Sequence, residues 1–280
     1  MRPRSSHSGS DAAAEFETAL TPEGAFATFD GHRLPAARVI QLLSPLVLDE
    51  RLARMQAVLA QRCAGLALAV ENLHHSHNGA ACVRTAEAMG LQDLVTVESL
   101  NTFPLFEGEA TEAGSAAAPL VGTRKVTRLT DRWLTLHRLE DAAALRTFAD
   151  ARGMALWGAA PTGEATLADV PDDRPVMVLF GNESVGLLDE TLAVCDGAFR
   201  IPMYGFVESF NVSVSVGIVL ADLMRRRRLP DGTPRPDDAL PAARREALLA
   251  EWLFADVRAS GLILRRALAD VQSMSPSKGT

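Results

Sequence analysis

Cysteine is scarce. The 280 residues hold three, Cys63, Cys82 and Cys195, widely spaced and without a CxxC pair. An odd, scattered set argues against a disulfide framework or a cysteine-based zinc site and fits free thiols in a reducing cytosol. Aromatic residues make up only 5% of the chain. With alanine frequent, that points to helix-rich α/β packing rather than a β-sandwich. No apolar run reaches the roughly 18 residues of a membrane span. The start, MRPRSSHSGSDAAAEF, has two arginines but no apolar signal core. A soluble cytoplasmic protein without membrane partners is expected.

Several well-known signatures are missing too. No GK[ST] phosphate loop occurs, no GxGxxG follows the first strand, and no GxSxG elbow is present. P-loop chemistry, nicotinamide dinucleotide binding and α/β-hydrolase chemistry have no support. His74, His75 and His77 share one loop without HxxxH spacing or a nearby carboxylate or cysteine, so no metal is expected. They read as loop residues near a polar ligand. The net charge of -7 is not that of an overall nucleic-acid binder. A clustered arginine face could still meet RNA.

What is present is enough apolar sequence, 48%, for a real core. Residues 1–20 are polar, small and without periodicity, and are expected to be disordered. Residues 21–64 are expected to form a helical N-terminal extension, since Val39, Leu42, Leu43, Met55, Val58 and Leu59 recur at helical spacing. Residues 65–228 carry alternating strand and helix patterns. GLALAV at 65–70 is apolar throughout, as in a strand buried on both faces. Strands follow at 94–97, 133–136, 154–159, 176–180 and 199–201, with helices near 80–89 and 141–151. That rhythm predicts a mainly parallel α/β sheet flanked by helices. Residues 101–122 read as a loop, 229–240 as a linker, 241–270 as a helical C-terminal extension and 271–280 as a disordered tail.

The chemistry-bearing residues gather where strands end. Asn78 stands before a helix and would serve as a cap. Arg84, six residues on, is surrounded by small residues. It could grip a phosphate or carboxylate, or form an ordinary surface ion pair. Glu183 follows a buried strand, where open α/β sheets bind ligands. Ser209 and Asn211 frame the start of a long helix and could cap it or face an anion. The arginines at 225–228 and at 244–266 could face RNA or only water.

Three blocks in order carry a resemblance. They are Glu71-Asn72 through His77-Asn78 to Arg84 and Gly90; LFGNESVGL at 179–187; and IPMYGFVESFNVSVSVGIVL at 201–220. Together they resemble the signature motifs of the SpoU/TrmH family of RNA ribose 2′-O-methyltransferases, over roughly residues 65–225, with the TrmH branch nearest. Phe210 stands where the family often has Leu, and Gly79 where it often has a bulkier residue. The segment VGTRKVTRLTDRW matches only faintly.

The resemblance implies a SPOUT fold, a parallel sheet whose C-terminal part is tied into a deep trefoil knot, and a homodimer. It implies S-adenosylmethionine as methyl donor, held by Ala159, Gly181, Ile201, Met203 and Phe210. Glu183, Ser209 and Asn211 would shape the site. Arg84 is the family's proton-accepting arginine, assisted by a substrate phosphate. Arginine as a residue type holds its proton, so gripping the phosphate and stabilising charge on the ribose oxygen suits it better. Asn78 would orient Arg84 or the ribose. The implied substrate is tRNA, at guanosine 18 of the D-loop, with rRNA or another tRNA nucleotide as the alternative. A non-catalytic RNA-binding protein on the same fold, or a small-molecule enzyme on a doubly wound sheet, are the competing classes. Steep salt dependence of RNA binding would separate them.

Overall fold

The computed structural model describes residues 16–103 and 131–274. The chain divides into two compact units. One comprises Met1–Leu59 with Pro241–Thr280, the other Ala60–Leu240. The loop expected at 101–122 lies, beyond Phe103, outside the described residues, as do residues 1–15 and 275–280.

The first unit does not begin as the sequence suggested. Residues 16–20, expected to be disordered, and the first part of the expected helical extension form an antiparallel meander. It runs β1 (Phe16–Thr21), β2 (Gly24–Phe29) and β3 (His32–Pro35). Asp30 and Gly31, both with positive φ, make the two-residue turn between β2 and β3 that such hairpins favour. Alternation puts Ala25, Ala27 and Phe29 on the buried face. Two of those three are alanines, so the period-2 signal is faint. The helices come next, α1 (Ala36–Leu43) and α2 (Asp49–Gln61), with a 3-10 turn at Ser44–Leu46 between them.

The second unit holds the functional elements. They are β4 (Leu66–Glu71), α3 (Ser76–Met89), β5 (Asp93–Val97), β6 (Thr135–Leu139), α4 (Ala142–Asp150), β7 (Ala155–Ala159), β8 (Ala165–Thr166), β9 (Val176–Phe180), α5 (Asp189–Ala193), β10 (Gly197–Arg200) and α6 (Val212–Arg226). The seven strands form one parallel sheet in the order β6-β5-β4-β9-β7-β10-β8. Every residue of β4 is buried, which accounts for its unbroken apolar sequence. Leu66, Leu68 and Val70 pack on the side of α3 and α6, and Ala67 and Ala69 on the side of α4. Since all strands run the same way, all their carboxyl ends open on one side of the sheet.

The four arginines that end α6 are not a free RNA-facing cluster. Arg226 donates to the carbonyls of Val170 and Leu167, each at 2.9 Å. Arg227 is 1% exposed and pairs at 2.5 Å with Asp238, itself 3% exposed. It also donates to the carbonyls of Pro171 and Arg174. Arg228 donates to the Gln61 carbonyl at 2.9 Å and the Gly232 carbonyl at 2.6 Å. Arg225, paired with Asp222, is the exposed member. The expected linker at 229–240 is therefore packed structure. It folds back through an Arg228–Pro234 bridge, and the Asp238 carbonyl accepts from the Ala64 N–H. The physical reason is burial: a charged group in the interior needs a nearby counter-charge and hydrogen bonds, and residues 229–240 supply Asp238.

The chain then returns to the first unit. The expected C-terminal helix is two helices, α7 (Ala242–Asp256) and α8 (Ser260–Met274). Phe254 of α7 stacks on Phe16 with ring centres 4.1 Å apart and meets the edge of Phe29. Thr18 hydrogen-bonds Glu251 of α7. The basic residues read from this region are partly committed as well. Arg51 pairs with Asp256, and Arg265 with Asp30. Within the second unit, Arg62 is buried and donates to the carbonyls of Leu91 and Glu87.

Candidate active site

β4, β9, β7 and β10 are neighbours in the sheet. The loops leaving β4, β9 and β10 carry the three sequence blocks, so a parallel sheet puts them side by side. Two polar residues close the apolar strand β4. Glu71, 2% exposed, accepts the Leu188 N–H at 2.8 Å and the Thr191 hydroxyl. It thereby ties the β9–α5 loop to the end of β4. Burial raises its carboxyl above the usual range, against the opposing pull of those two hydrogen bonds. Asn72 adopts φ +50°, a conformation asparagine tolerates better than most residues. Its amide oxygen accepts the Leu100 N–H at 2.9 Å, and its carbonyl accepts Asn182 Nδ2 at 2.7 Å. In the sequence Glu71 and Asn72 stand out only as the start of the first block. Two polar residues ending an all-apolar strand were the available signal for their bracing role.

A hydrogen-bonded chain links the three blocks. Asn211 Nδ2 donates to Asn78 Oδ1 at 3.1 Å, and Asn78 Nδ2 donates to Glu183 Oε1 at 2.6 Å. The other Glu183 oxygen lies 3.5 Å from the His74 N–H. Partial burial resists ionisation of Glu183. The bond from Asn78, those from the Glu183 and His74 backbone N–H groups, and nearby His75 outweigh it and hold the carboxyl below its usual value. The thiol of Cys82, on the buried face of α3, is pushed up to about 12 by burial and by the Glu183 charge. Asn211 also caps α6, its side-chain oxygen accepting the Ser213 N–H at 2.9 Å. Asn78, by contrast, sits two residues inside α3, whose N-cap is His75, so the expected capping role is replaced by the bond to Glu183.

The linkage has a pH consequence. A carboxyl whose folded-state pKa is depressed contributes stability above its unfolded pKa, and that contribution is lost as pH falls through the folded value. Glu183→Gln should therefore flatten the acid limb of the stability curve below the ordinary glutamate range. Urea midpoints measured from neutral pH downward test this. Parallel curves for the two proteins would contradict it.

Not every expected site residue joins the chain. Arg84 is exposed on α3 and has no hydrogen-bond or ion-pair partner among the described residues. Ser209 is exposed and likewise without a hydrogen bond among them. Ala159, Gly181 and Ile201 lie at or just past the ends of β7, β9 and β10, all half-buried, and Met203 follows two residues later. Phe210 is 39% exposed in the β10–α6 loop. His74, His75 and His77 are exposed, with the rings of His74 and His75 edge to face at 5.3 Å.

Two backbone features distinguish these loops. Pro202 to Phe210 make no backbone–backbone hydrogen bond among the described residues, which leaves donors and acceptors available beside half-buried Ile201 and Met203. Gly181 meets the Asn182–Gly186 turn at close range: a Cβ there would lie 2.0 Å from the Gly186 carbonyl carbon. Backbone faces backbone, so neither side can yield. Gly181→Ala should cost about 1–3 kcal/mol of stability, read as a lowered urea midpoint. An unchanged midpoint would mean the turn relaxes freely.

Known proteins resemble this chain in sequence and fold. The sequence pattern of the SpoU rRNA Methylase family matches residues 65–221. A tRNA (guanosine(18)-2′-O)-methyltransferase of Thermus thermophilus is 32% identical over 209 residues, spanning 73% of this chain and 96% of that protein. The enzyme of the same name from Borreliella burgdorferi is 30% identical over 191 residues, 68% of this chain and 79% of its own. The crystal structure of the A. aeolicus TrmH/SpoU tRNA modifying enzyme superposes with a TM-score of 0.60 at 25% identity. That match covers 75% of this chain and 98% of the other.

Proposed function

The chain belongs to the SpoU rRNA Methylase family, and from that premise we propose that it methylates a ribose 2′-hydroxyl of tRNA, at guanosine 18, using S-adenosylmethionine. The observation that carries this reading is the Asn211–Asn78–Glu183 chain, which joins all three family blocks at the open side of a parallel sheet. The relatives that match along most of their length bear the name of a tRNA guanosine-18 methyltransferase.

S-adenosylmethionine, when bound, supplies a methyl group on a sulfonium. The chain's own residues must then hold the donor, align the ribose oxygen and stabilise the charge left as its proton passes to water. Gly181 with its close turn, Ala159, Ile201, Met203 and Phe210 hold the donor, using the unspent backbone groups of the β10–α6 loop. Asn78, fixed by Glu183 and Asn211, orients the ribose side of the site, and Ser209 helps to shape it. Arg84 grips a substrate phosphate and stabilises negative charge on the 2′-oxygen. Holding reactants in line is worth about 7–11 kcal/mol of barrier in good intramolecular cases.

The same reading gives β9 through α6 the trefoil knot of the family. It is supported by a strand order that inserts β9 between β4 and β7 and carries the chain back past β7 to β10. It also makes the protein a homodimer. Val214 and Ile218, with Ala221 one turn on, leave an exposed apolar stripe on α6. Tyr204, Phe206 and Val207 stand exposed in the loop before it. Its place of action is the cytoplasm, where tRNA is modified. No described helix is long and apolar enough to cross a membrane.

Incubation with methyl-labelled S-adenosylmethionine and tRNA transcripts, followed by mapping of the modified ribose, tests the proposal. Label at guanosine 18, lost in a transcript with adenosine there, is expected. Label confined to rRNA would move the substrate, and no label in any RNA would end the enzymatic reading.

A further inference from the structure

We infer that Glu71 is a positioning residue for the methyl donor: from the end of β4 it sets where the second leg of the Gly181–Leu187 turn stands, and with it the affinity for S-adenosylmethionine. The inference rests on the methyltransferase reading above and adds to it a residue that touches neither substrate. Glu71 is 2% exposed and Thr191 is 1% exposed, so neither side chain is open to a ligand. A carboxyl group buried without a cation loses its hydration, and Glu71 has no ion-pair partner among the described residues. An apolar side chain would fill the same space without that desolvation. What the carboxyl adds is a pair of acceptors. They engage the Leu188 N–H at 2.8 Å and the Thr191 hydroxyl, at the start of α5, whose N-cap is Leu188.

The turn is held on both legs by consecutive residues at the end of β4. On the first leg, which leaves β9 at Gly181, Asn182 Nδ2 donates to the Asn72 carbonyl at 2.7 Å. The second leg returns through Gly186 and Leu187 to Leu188 on Glu71. Between the legs, the Asn182 N–H donates to the Gly186 carbonyl at 3.0 Å and the Gly186 N–H to the Asn182 carbonyl at 2.9 Å. A shift of the second leg therefore reaches Gly181. The second leg also leans on β7, since a Cβ on Gly158 would lie 2.9 Å from Leu187 Cδ1. Gly158 precedes Ala159, so the leg bears on β9 at Gly181 and on β7 beside Ala159, two of the donor-holding positions.

Glu183, within the turn, is fixed separately by Asn78. Losing the Glu71 contacts loosens the donor-holding backbone and leaves the polar chain of Asn211, Asn78 and Glu183 in place. That separation is what distinguishes positioning of the donor from general support of the fold.

The test titrates the full-length protein with S-adenosylmethionine by calorimetry and with fluorescent tRNA by anisotropy. Glu71→Ala should raise Kd for S-adenosylmethionine about tenfold, the factor for one well-placed hydrogen bond. Kd for tRNA should stay within about twofold of wild type, a change smaller than one hydrogen bond gives. Glu71→Gln keeps an acceptor for the Leu188 N–H and offers a donor to the Thr191 oxygen. It should hold Kd for S-adenosylmethionine within about twofold of wild type. Thr191→Val removes one contact at nearly constant volume and should raise that Kd about threefold; it carries the test alone if Glu71→Ala does not fold. A residue that served stability only would lower the thermal midpoint of Glu71→Ala and leave the Kd of the folded protein unchanged. An unchanged Kd for S-adenosylmethionine in Glu71→Ala and Thr191→Val, or a Glu71→Gln as weak as Glu71→Ala, overturns the inference. Should the wild type bind no S-adenosylmethionine, the methyltransferase reading fails instead. Amide hydrogen exchange across Asn182–Leu188 then decides the hold on the turn separately: faster exchange in Thr191→Val supports it, and exchange at the wild-type rate overturns it.

Discussion

Arg84→Ala should lower tRNA methylation about 10²- to 10³-fold in kcat, the scale seen when one donor to a developing oxyanion is removed. The structure makes this substitution easy to interpret. Arg84 is exposed and has no partner among the described residues, so its loss breaks no internal contact. Alanine is the best helix former, and the change in folding free energy should stay within about 0.5 kcal/mol. Binding of S-adenosylmethionine, held by residues on other loops, should be unaffected. Arg84→Lys should recover only part of the rate, because a lysine ammonium cannot reproduce the planar two-point grip on a phosphate. Single-turnover methylation with labelled donor and saturating tRNA measures the effect. Near-normal transfer by the alanine variant would remove Arg84 from the mechanism and leave the Asn78–Glu183–Asn211 cluster to account for it.

Asp238→Ala should be the most destabilising single change in the sheet unit, by about 3–5 kcal/mol. Arg227 is 1% exposed and Asp238 is its only carboxylate partner among the described residues. Without it, Arg227 would keep only the carbonyls of Pro171 and Arg174, leaving a buried cation without its counter-charge. Arg235, which donates to the other oxygen of Asp238 at 2.9 Å, would lose its carboxylate partner too and keep the Asp172 carbonyl. Replacing the pair by apolar residues of similar volume, Arg227→Met with Asp238→Leu, should recover much of the loss, because desolvation of two charges offsets most of their attraction. Urea unfolding of the three proteins distinguishes these outcomes. A loss under about 1 kcal/mol, the range of an exposed pair, would mean water reaches the site. The consequence extends to function, because α6 carries Asn211 at its N-cap and is pinned at its other end by Arg226, Arg227 and Arg228.

Sequence alone determined that a mainly parallel sheet flanked by helices would form and where most of its strands lie, but not their order in the sheet or the short β8. β4 could be read because six consecutive buried positions leave no room for polar residues. The alternation of strands and helices announced a parallel sheet, and three polar blocks at strand exits announced the site. Asn78, Glu183 and Asn211 were legible as candidates because they stand in the three blocks at strand exits, although capping alone would account for Asn78 and Asn211 in the sequence. What the sequence could not determine was which groups touch. Asn78 meets Glu183 across 105 positions and Asn211 across 133, and no periodicity carries information over such separations. The same holds for Arg227 and its neighbours. A run of arginines looks like solvated surface until the fold brings carbonyls and Asp238 to it. The β1–β3 meander escaped notice because small alanines filled its buried face, and its partner, Phe254 of α7, lies more than two hundred residues away. Local pattern sets which face a residue presents; only tertiary packing decides what that face meets, because the partner is chosen by the path of the whole chain.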